Sequence, residues 1–562
     1  MSNSPWWKDA VIYHIYPRSF RDSSGDGVGD LAGIVEKLDH LSWLGVDALW
    51  MGPVFPSPQV DNGYDISDYR DIDPLFGSLA DLDMLVAEAH RLGIRVLLDL
   101  VLNHSSTEHR WFLSSRDNPE GEYSDFYHWH DPAPDGAPPN NWRSFFSVPA
   151  WTWSEARGQY YLNLFAPEQA DLNWANPRVR LEMADIANYW LDRDVDGFRM
   201  DVINLISKAA SYPSIPPGGN PQGYFVDGPD ALGWIQEFRT RLQGSDDVLL
   251  VGETIGTTPP TSRRWTAAES RALNMVISFE HVNLDYGPGG RWDHRAFSPA
   301  DLSRTLATQQ ESLAGSSWPC LYSGNHDQPR AVSRFGDDTQ FRYESAVAVA
   351  ALFLLLRGTP IIYQGEEIGM ANFPFASPDQ FQDVKSINAV RELLKNGAAP
   401  DEAFARVKPQ ARDNARTPMQ WDSTAAAGFC DAGVTPWFPV NPDYPNWNVD
   451  AERRRAESGE PTVIGAYRRL LALRREHEVF QRGDCDVIDL GQESPIVAFR
   501  RHADGKSLIV LINFSSQASP LPPSEALELG GVVPKPSFDT QEVYDAGTLQ
   551  PWEVRVLQGS GE

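Results

Sequence analysis

Short apolar runs alternate with amphipathic helical stretches, about eight runs in all, and a late change brings closely spaced alternating strands. Together these predict an α/β chain: a (β/α)8 TIM barrel with a small domain inserted after strand 3 and a C-terminal antiparallel β-sandwich. At 562 residues the chain is too long for a single core. The composition, 41% hydrophobic and 22% charged with 19 Trp, 18 Tyr and 26 Phe, is that of a folded protein rather than a disordered one.

The strand runs follow in order. VIYHIYP (11–17) precedes the helical GIVEKLDHLSWLG, VDALWMGPV (46–54) precedes ADLDMLVAEAHRLG, and RVLLDLVLNH (95–104) is the third. After PRVRLEMADIANYWLDR come GFRMDV, then VLLVGE (248–253), MVISFE (275–280), PCLYSGNH (319–326) and PIIYQGEEIG (360–369). An open doubly wound sheet is the rival arrangement, but no GxGxxG follows an early strand. The barrel is expected over 1–104 and 174–479, interrupted by an inserted domain at 105–173 that is rich in Trp, Pro, Asn and Gly. A second, irregular insertion spans 371–450, carrying the helix SINAVRELLKNG and the loop QARDNARTPMQWD. EPTVIGAYRRLLALRREH closes the barrel, and 480–562 is the β-sandwich domain.

VDGFRMDVIN (195–204) is the stretch around which the rest is organised. Arg199 and Asp201 are two residues apart, so in a strand they share a face, where a guanidinium can hold a carboxylate ionised and oriented. A fixed, ionised carboxylate suits covalent displacement, although a buried ion pair can also be purely structural. Barrel enzymes place chemistry at the C-terminal ends of their strands, and the other predicted ends are charged as well. Strand 3 ends in Asp99, Asn103 and His104, strand 5 in Glu253, and strand 7 in Asn325, His326 and Asp327. Two carboxylates across a bond suit glycoside hydrolysis. Asp201 is the better nucleophile, while Glu253, with no basic residue nearby in sequence, is the better candidate for a raised pKa and hence the acid. Asp327 would stabilise a cationic transition state, and His104 and His326 could hydrogen-bond sugar hydroxyls.

DLVLNH (99–104), GFRMD (197–201), GE (252–253) and NHDQPR (325–330), in that order and each at a strand end, make the chain resemble the α-amylase family, glycoside hydrolase family 13. The resemblance runs nearly the whole length and lies closest to the oligo-1,6-glucosidase and α-glucosidase branch. It implies a retaining mechanism with Asp201 as nucleophile, Glu253 as acid/base and Asp327 as stabiliser. It also implies that Tyr64 stacks on the terminal glucose and that Asp65 binds its far hydroxyls with an arginine partner, Arg412 or Arg416, of which spacing favours Arg412. Phe146, Phe165 and Gln169 resemble pocket-lining positions, and a closed far end implies exo attack releasing one glucose. Val202, after the nucleophile, resembles the residue of α-1,6-preferring enzymes. His14 and Ala170 depart from the branch, whose usual residues there are glutamine and proline.

The expected activity is therefore that of an exo-acting retaining α-glucosidase on short α-glucosides, isomaltose-type oligosaccharides above all. A transglucosylase or sucrose isomerase on the same fold is the alternative, and a non-catalytic amylase-like binding protein is disfavoured by the three carboxylates. No catalytic cofactor is expected. DSSGDGVGD sets oxygen donors at Asp22, Ser24, Asp26, the Val28 carbonyl and Asp30, the start of an EF-hand-like loop that suits structural Ca2+ or Mg2+. The formal net charge of −29 opposes nucleic acid and anionic membranes and favours a small neutral partner. The three cysteines show no paired spacing, the N-terminus lacks the features of a secretory signal, and no run is long enough to cross a bilayer. A cytoplasmic monomer or homodimer is expected.

Overall fold

The computed structural model describes residues 5–524, 526–527, 538–540 and 547–559. Eight parallel strands form its central sheet: β1 (Ile12–Ile15), β2 (Ala48–Met51), β3 (Arg95–Val101), β4 (Gly197–Asp201), β5 (Leu249–Glu253), β6 (Met275–Ile277), β7 (Cys320–Tyr322) and β8 (Thr359–Tyr363). Each coincides with one of the apolar runs of the sequence, β8 beginning one residue before its run. Such runs are continuous because parallel strands, covered by helices outside and filled inside, are buried on both faces. The sheet order is β6-β5-β4-β3-β2-β1-β8-β7, and β6 and β7 lie against one another, which brings the sheet nearly to closure.

The helix between β1 and β2, α1 (Leu31–Leu44), illustrates how the crossovers are specified. Leu31, Ile34, Leu38, Leu41 and Leu44 make one buried stripe at three- and four-residue spacing. The Asp30 side chain caps the helix by accepting from the Gly33 N–H, and Gly45 ends it in the left-handed conformation at φ +95°. At the other end of the barrel, Thr462 caps α2 (Val463–Glu476) through the Gly465 N–H.

The insert after β3 has a two-stranded neck in which His104–Ser106 pairs antiparallel with Gln169–Asp171. Beyond the neck, Trp129–His130, Gln159–Leu162 and Trp151–Ser154 form a three-stranded sheet. The segment after β8 is less irregular than the sequence suggests. Besides the helix Val384–Lys395 it carries Pro400–Val407 and Val449–Glu457, and Phe373, Phe375, Phe381, Val407 and Phe438 give it a small core of its own.

In the C-terminal region β9 (Asp484–Ile488), β10 (Ile496–Ala503), β11 (Lys506–Asn513), β12 (Phe538–Asp539) and β13 (Val554–Gln558) form an antiparallel sheet in the order β9-β10-β11-β13-β12. Alternation along β10 and β11 divides its two faces. Val497, Phe499, Val510 and Ile512 join the main core, whereas Ile496, Ala498, Ile509 and Leu511 pack beneath Leu527 and Leu549. Among the described residues no helix is long and apolar enough to cross a membrane.

Candidate active site

Side chains from successive strands meet inside the barrel. The Trp50 indole N–H (β2) donates to Asp99 Oδ2 at 3.3 Å, and Arg199 Nη1 (β4) reaches both Asp99 oxygens (β3) at 2.8 and 3.0 Å. The same guanidinium contacts Asp201 Oδ1 at 2.8 Å and, through Nη2, Glu253 Oε2 at 2.6 Å. Sequence proximity gives Glu253 no basic neighbour; the fold supplies one, because β4 and β5 are paired with Arg199 beside Val251. Immediately after Asp201 the chain turns sharply into a 3-10 helix (Ile203–Leu205), and Val202 takes up the turn at φ +38°, ψ +41°. A β-branched residue there is strained by about 1–3 kcal/mol. The Val202 N–H lies 3.3 Å from Glu253 Oε2, so this backbone also positions the second carboxylate.

A pocket opens over these groups. It is lined by Asp201, Val202 and Glu253 on the floor, by Tyr64, His104, Phe146, Phe165 and Gln169 on one side, and by Asp327 and Arg412 on another. The neck of the insert carries Gln169, whose Nε2 lies 3.2 Å from Asp61 Oδ2 and 3.1 Å from His104 Nε2. Of Arg412 and Arg416, Arg412 is the one in the lining. It contacts Asp61 Oδ1 and Asp327 Oδ1 at 3.0 Å each, reaches Asp383 Oδ1, and lies 5.0 Å over the Phe146 ring. Arg416 sits behind the lining, with Nη2 2.9 Å from Asp327 Oδ1 and Nε donating to the His326 carbonyl at 3.1 Å. Arg199 and His326 likewise stand one layer behind, and His326 Nε2 meets the Tyr64 hydroxyl at 2.8 Å.

One expected pocket residue is misplaced. Asp65 lies outside the lining, fully buried, accepting from the Val60 N–H, the Asp61 N–H and the Ser57 hydroxyl at 2.9–3.0 Å. It shapes the loop, and Asp61 is the carboxylate that this loop presents to Arg412. Asp61 stands three residues before Tyr64 and Asp65 one after, in a loop without period, so nothing in the pattern ranks them. Asp383, Lys385, Asn283, Tyr286 and Arg291 were also missed. The capping pattern of Asp383, which accepts from the Ser386 N–H, is legible but says nothing of a pocket.

Arg199 serves three carboxylates, Asp99, Asp201 and Glu253, rather than Asp201 alone. Burial pushes the Asp201 carboxyl well up against the pull of Arg199, with Glu253, Asp99 and Asp327 adding to the rise. One guanidinium cannot neutralise three buried carboxylates, so the group as a whole favours keeping a proton. Asp327 is the opposite case. Burial acts to raise it, but Arg412, His326, Arg416 and Lys385 hold it well below the usual carboxylate range. Burial pushes His104 down to about 4 and His326 to about 3, so both rings are neutral at pH 7. Burial raises Asp61 to about 6 despite Arg412.

The acidic turn from Asp22 to Asp30 is far from this pocket in its partners. Asp22 accepts from the Ser24 hydroxyl and the Gly25 and Gly27 N–H groups, Asp26 from the Val28 N–H, and Asp30 from the Ser23 and Ser24 N–H groups as well as from Gly33. Among the described residues no group of three or more His, Cys, Asp or Glu side chains stands together to hold a metal ion. The carboxylates of the turn accept from its backbone N–H groups.

A family model for the alpha-amylase catalytic domain matches residues 14–483. The chain belongs to the α-amylase family. It is 45% identical to an oligo-1,6-glucosidase of Parageobacillus thermoglucosidasius, over 98% of this chain and 99% of that one. Among solved structures, a trehalose-6-phosphate hydrolase of Bacillus licheniformis superposes with a TM-score of 0.92 at 39% identity, over 99% of this chain and 100% of the other. An isomaltulose synthase from Klebsiella sp. LX3 superposes with a TM-score of 0.93 at 36% identity over the same shares. As an α-amylase family member this chain is a glycoside hydrolase of family 13.

Proposed function

We propose that this protein is an exo-acting retaining α-glucosidase that releases one glucose from the non-reducing end of short α-glucosides, α-1,6-linked oligosaccharides first among them. The observation that carries this reading is the pair of carboxylates, Asp201 and Glu253, gripped by the two terminal nitrogens of one guanidinium at the floor of a pocket that the paired Arg412 and Asp61 also line. A shared guanidinium holds the carboxylates close, as direct attack requires, rather than apart as an interposed water would need. An Asp201 oxygen bonds to the anomeric carbon as the glycosidic C–O bond breaks, and Glu253 gives its proton to the leaving oxygen. Water then attacks the same carbon, Glu253 takes the water's proton, and Asp201 departs, so the configuration is retained. Asp327, held ionised by Arg412 and Arg416, favours the cationic transition state.

A second reading rests on two cations. Lys385 and Arg291 line the pocket, and Arg291 donates to the carbonyls of Asp327 and Gln410, with no carboxylate partner among the described residues. They favour a leaving sugar that carries phosphate, the class named for the trehalose-6-phosphate hydrolase relatives. A third, transfer to a second sugar, uses the same covalent intermediate and matches the synthase neighbours. One assay separates all three: the protein is given isomaltose, maltose, sucrose and trehalose 6-phosphate, and every product and its first-formed anomer are followed. α-Glucose released first from isomaltose supports the proposal, and preference for the phosphorylated sugar moves the assignment to the second reading. New disaccharides with little free glucose indicate transfer.

The same reading includes a cytoplasmic monomer or homodimer, with the free Cys320, Cys430 and Cys485 suited to a reducing compartment. Cell fractionation and sedimentation test it. A structural Ca2+ or Mg2+ at the Asp22–Asp30 turn is a separate proposal, supported by hard oxygen donors at alternate positions. If it is right, excess EDTA lowers the melting temperature and calcium restores it; an unchanged melting temperature removes it.

A further inference from the structure

Behind the pocket, β1 contributes His14, whose ring is fully buried and stacks on Trp50 with centroids 3.5 Å apart and planes 6° from parallel. Among the described residues neither of its ring nitrogens has a hydrogen-bond partner, nor do His326 Nδ1 and the Tyr16 hydroxyl. These atoms belong to one cluster. His14 meets His326 edge to face at 5.2 Å, and Tyr16 stacks on His326 at 5.8 Å. Leaving a buried polar atom unpaired is costly, so several on neighbouring rings point to a polar connection among them.

The rest of the network assigns the tautomer of His326. Asp99 Oδ2 takes the Trp50 indole N–H, Arg199 Nη1 and the Tyr64 hydroxyl, the last at 2.9 Å. Trp and Arg are donors only, and that oxygen is crowded with donors, so Tyr64 donates to Asp99 and has only lone pairs to offer elsewhere. His326 Nε2, 2.8 Å from the Tyr64 oxygen, must then carry the proton, and the same N–H lies 3.4 Å from Asp327 Oδ1. In a neutral imidazole this leaves Nδ1 as a buried acceptor on a ring that His14 meets edge to face.

We propose that His14 is a positioning residue for the glucose pocket: it supplies, through one bridging water, the hydrogen-bond donor that keeps His326 in its Nε2-protonated tautomer. So held, His326 pins Tyr64 as a donor to Asp99 and presents its own N–H to Asp327. The tautomer would be wrong for both contacts if the proton moved to Nδ1. A bridge of this kind needs two to four polar partners, which His14, His326 and Tyr16 provide. The α-glucosidase reading underlies only the kinetic part of the test.

The test uses the whole protein labelled with 15N-histidine, the His326 signals being assigned by their loss in His326→Gln. The wild type is expected to show His326 protonated at Nε2, and an Nδ1-protonated ring there overturns the proposal whatever the activity. His14→Gln keeps a side-chain N–H and is expected to keep both the tautomer and kcat. His14→Phe keeps the stack on Trp50 but has no donor; with an unchanged melting temperature it is expected to mix the tautomers and lower kcat by roughly 10- to 100-fold. A folded His14→Phe with wild-type kcat and the wild-type His326 signals also overturns it. Absence of glucosidase activity in the wild type would sink the functional reading while leaving the nitrogen spectra to decide this one.

Discussion

The two aspartates that flank Tyr64 do different work although both are buried. Asp61→Asn removes a charge that Arg412 grips inside the pocket, and its expected effect is a KM raised by about 10-fold or more with little change in melting temperature, read from initial rates and a thermal scan. Asp65→Asn keeps the shape but weakens three hydrogen bonds of the loop, and is expected to cost about 1–3 kcal/mol in urea unfolding. Reversal of these two outcomes would restore Asp65 as the sugar ligand. Asp201→Asn removes the nucleophile and should lower kcat by about 10^4-fold or more without loss of fold, measured on a p-nitrophenyl α-glucoside. The ends of β3, β4, β5 and β7 were legible as a site because charge at the end of a buried apolar run has few structural uses. The Asp61–Asp65 distinction was not legible, since loop residues of one type carry no period that tells which side chain turns inward.

At the scale of elements, the insert must be fixed to the barrel for His104 and Gln169 to share a pocket with Glu253. Lys208, in the loop after β4, does this from inside. Its ammonium contacts Asp171 Oδ1 at 2.6 Å, Asn103 Oδ1 at 2.8 Å and the Leu205 carbonyl at 2.7 Å, joining the insert's neck, the end of β3 and the β4 loop. Removing the ammonium leaves Asp171 buried without its cation, so Lys208→Met is expected to lose about 3–5 kcal/mol and to raise KM, with proteolysis starting in the insert before the barrel. Global unfolding in one step, with no early cut in the insert, would contradict that role. No spacing in the sequence couples residue 208 to 171 and 103; the contact exists because the neck folds back over the strand ends.

Over the whole molecule, buried carboxyls govern the pH dependence. Glu366, half-buried with Ser323 and the Tyr363 N–H as donors, is pushed by loss of solvent from its ordinary 4.5 up to about 8. Between those values the native state binds a proton that the unfolded chain has released, so stability falls as pH rises, by about 1.4 kcal/mol per pH unit, and the loss is complete above pH 8. Asp413, raised by burial and by Asp383 to about 7, acts in the same direction. The net charge of −29 adds self-repulsion that salt screens. Against Glu366→Gln, which cannot titrate there, the wild type should lose stability from pH 5 to 9 in urea unfolding, and a difference between the two that stays constant across this window would refute the assignment.

By itself the sequence determined the alternation of buried strands and amphipathic helices, and with it the barrel, the insert after β3, the C-terminal sheet and the charged strand ends. These are local patterns, set by period and by the few conformations a short apolar run can adopt. Tertiary structure alone decided which charges meet: Arg199 with Glu253 across β4 and β5, Arg412 with Asp61 across 351 residues, and Asp383 and Lys385 from a segment that reads as irregular. The physical reason is that ion pairing falls off steeply with distance in space, and distance in space between loops depends on how the whole barrel closes rather than on any residue's neighbours in the chain.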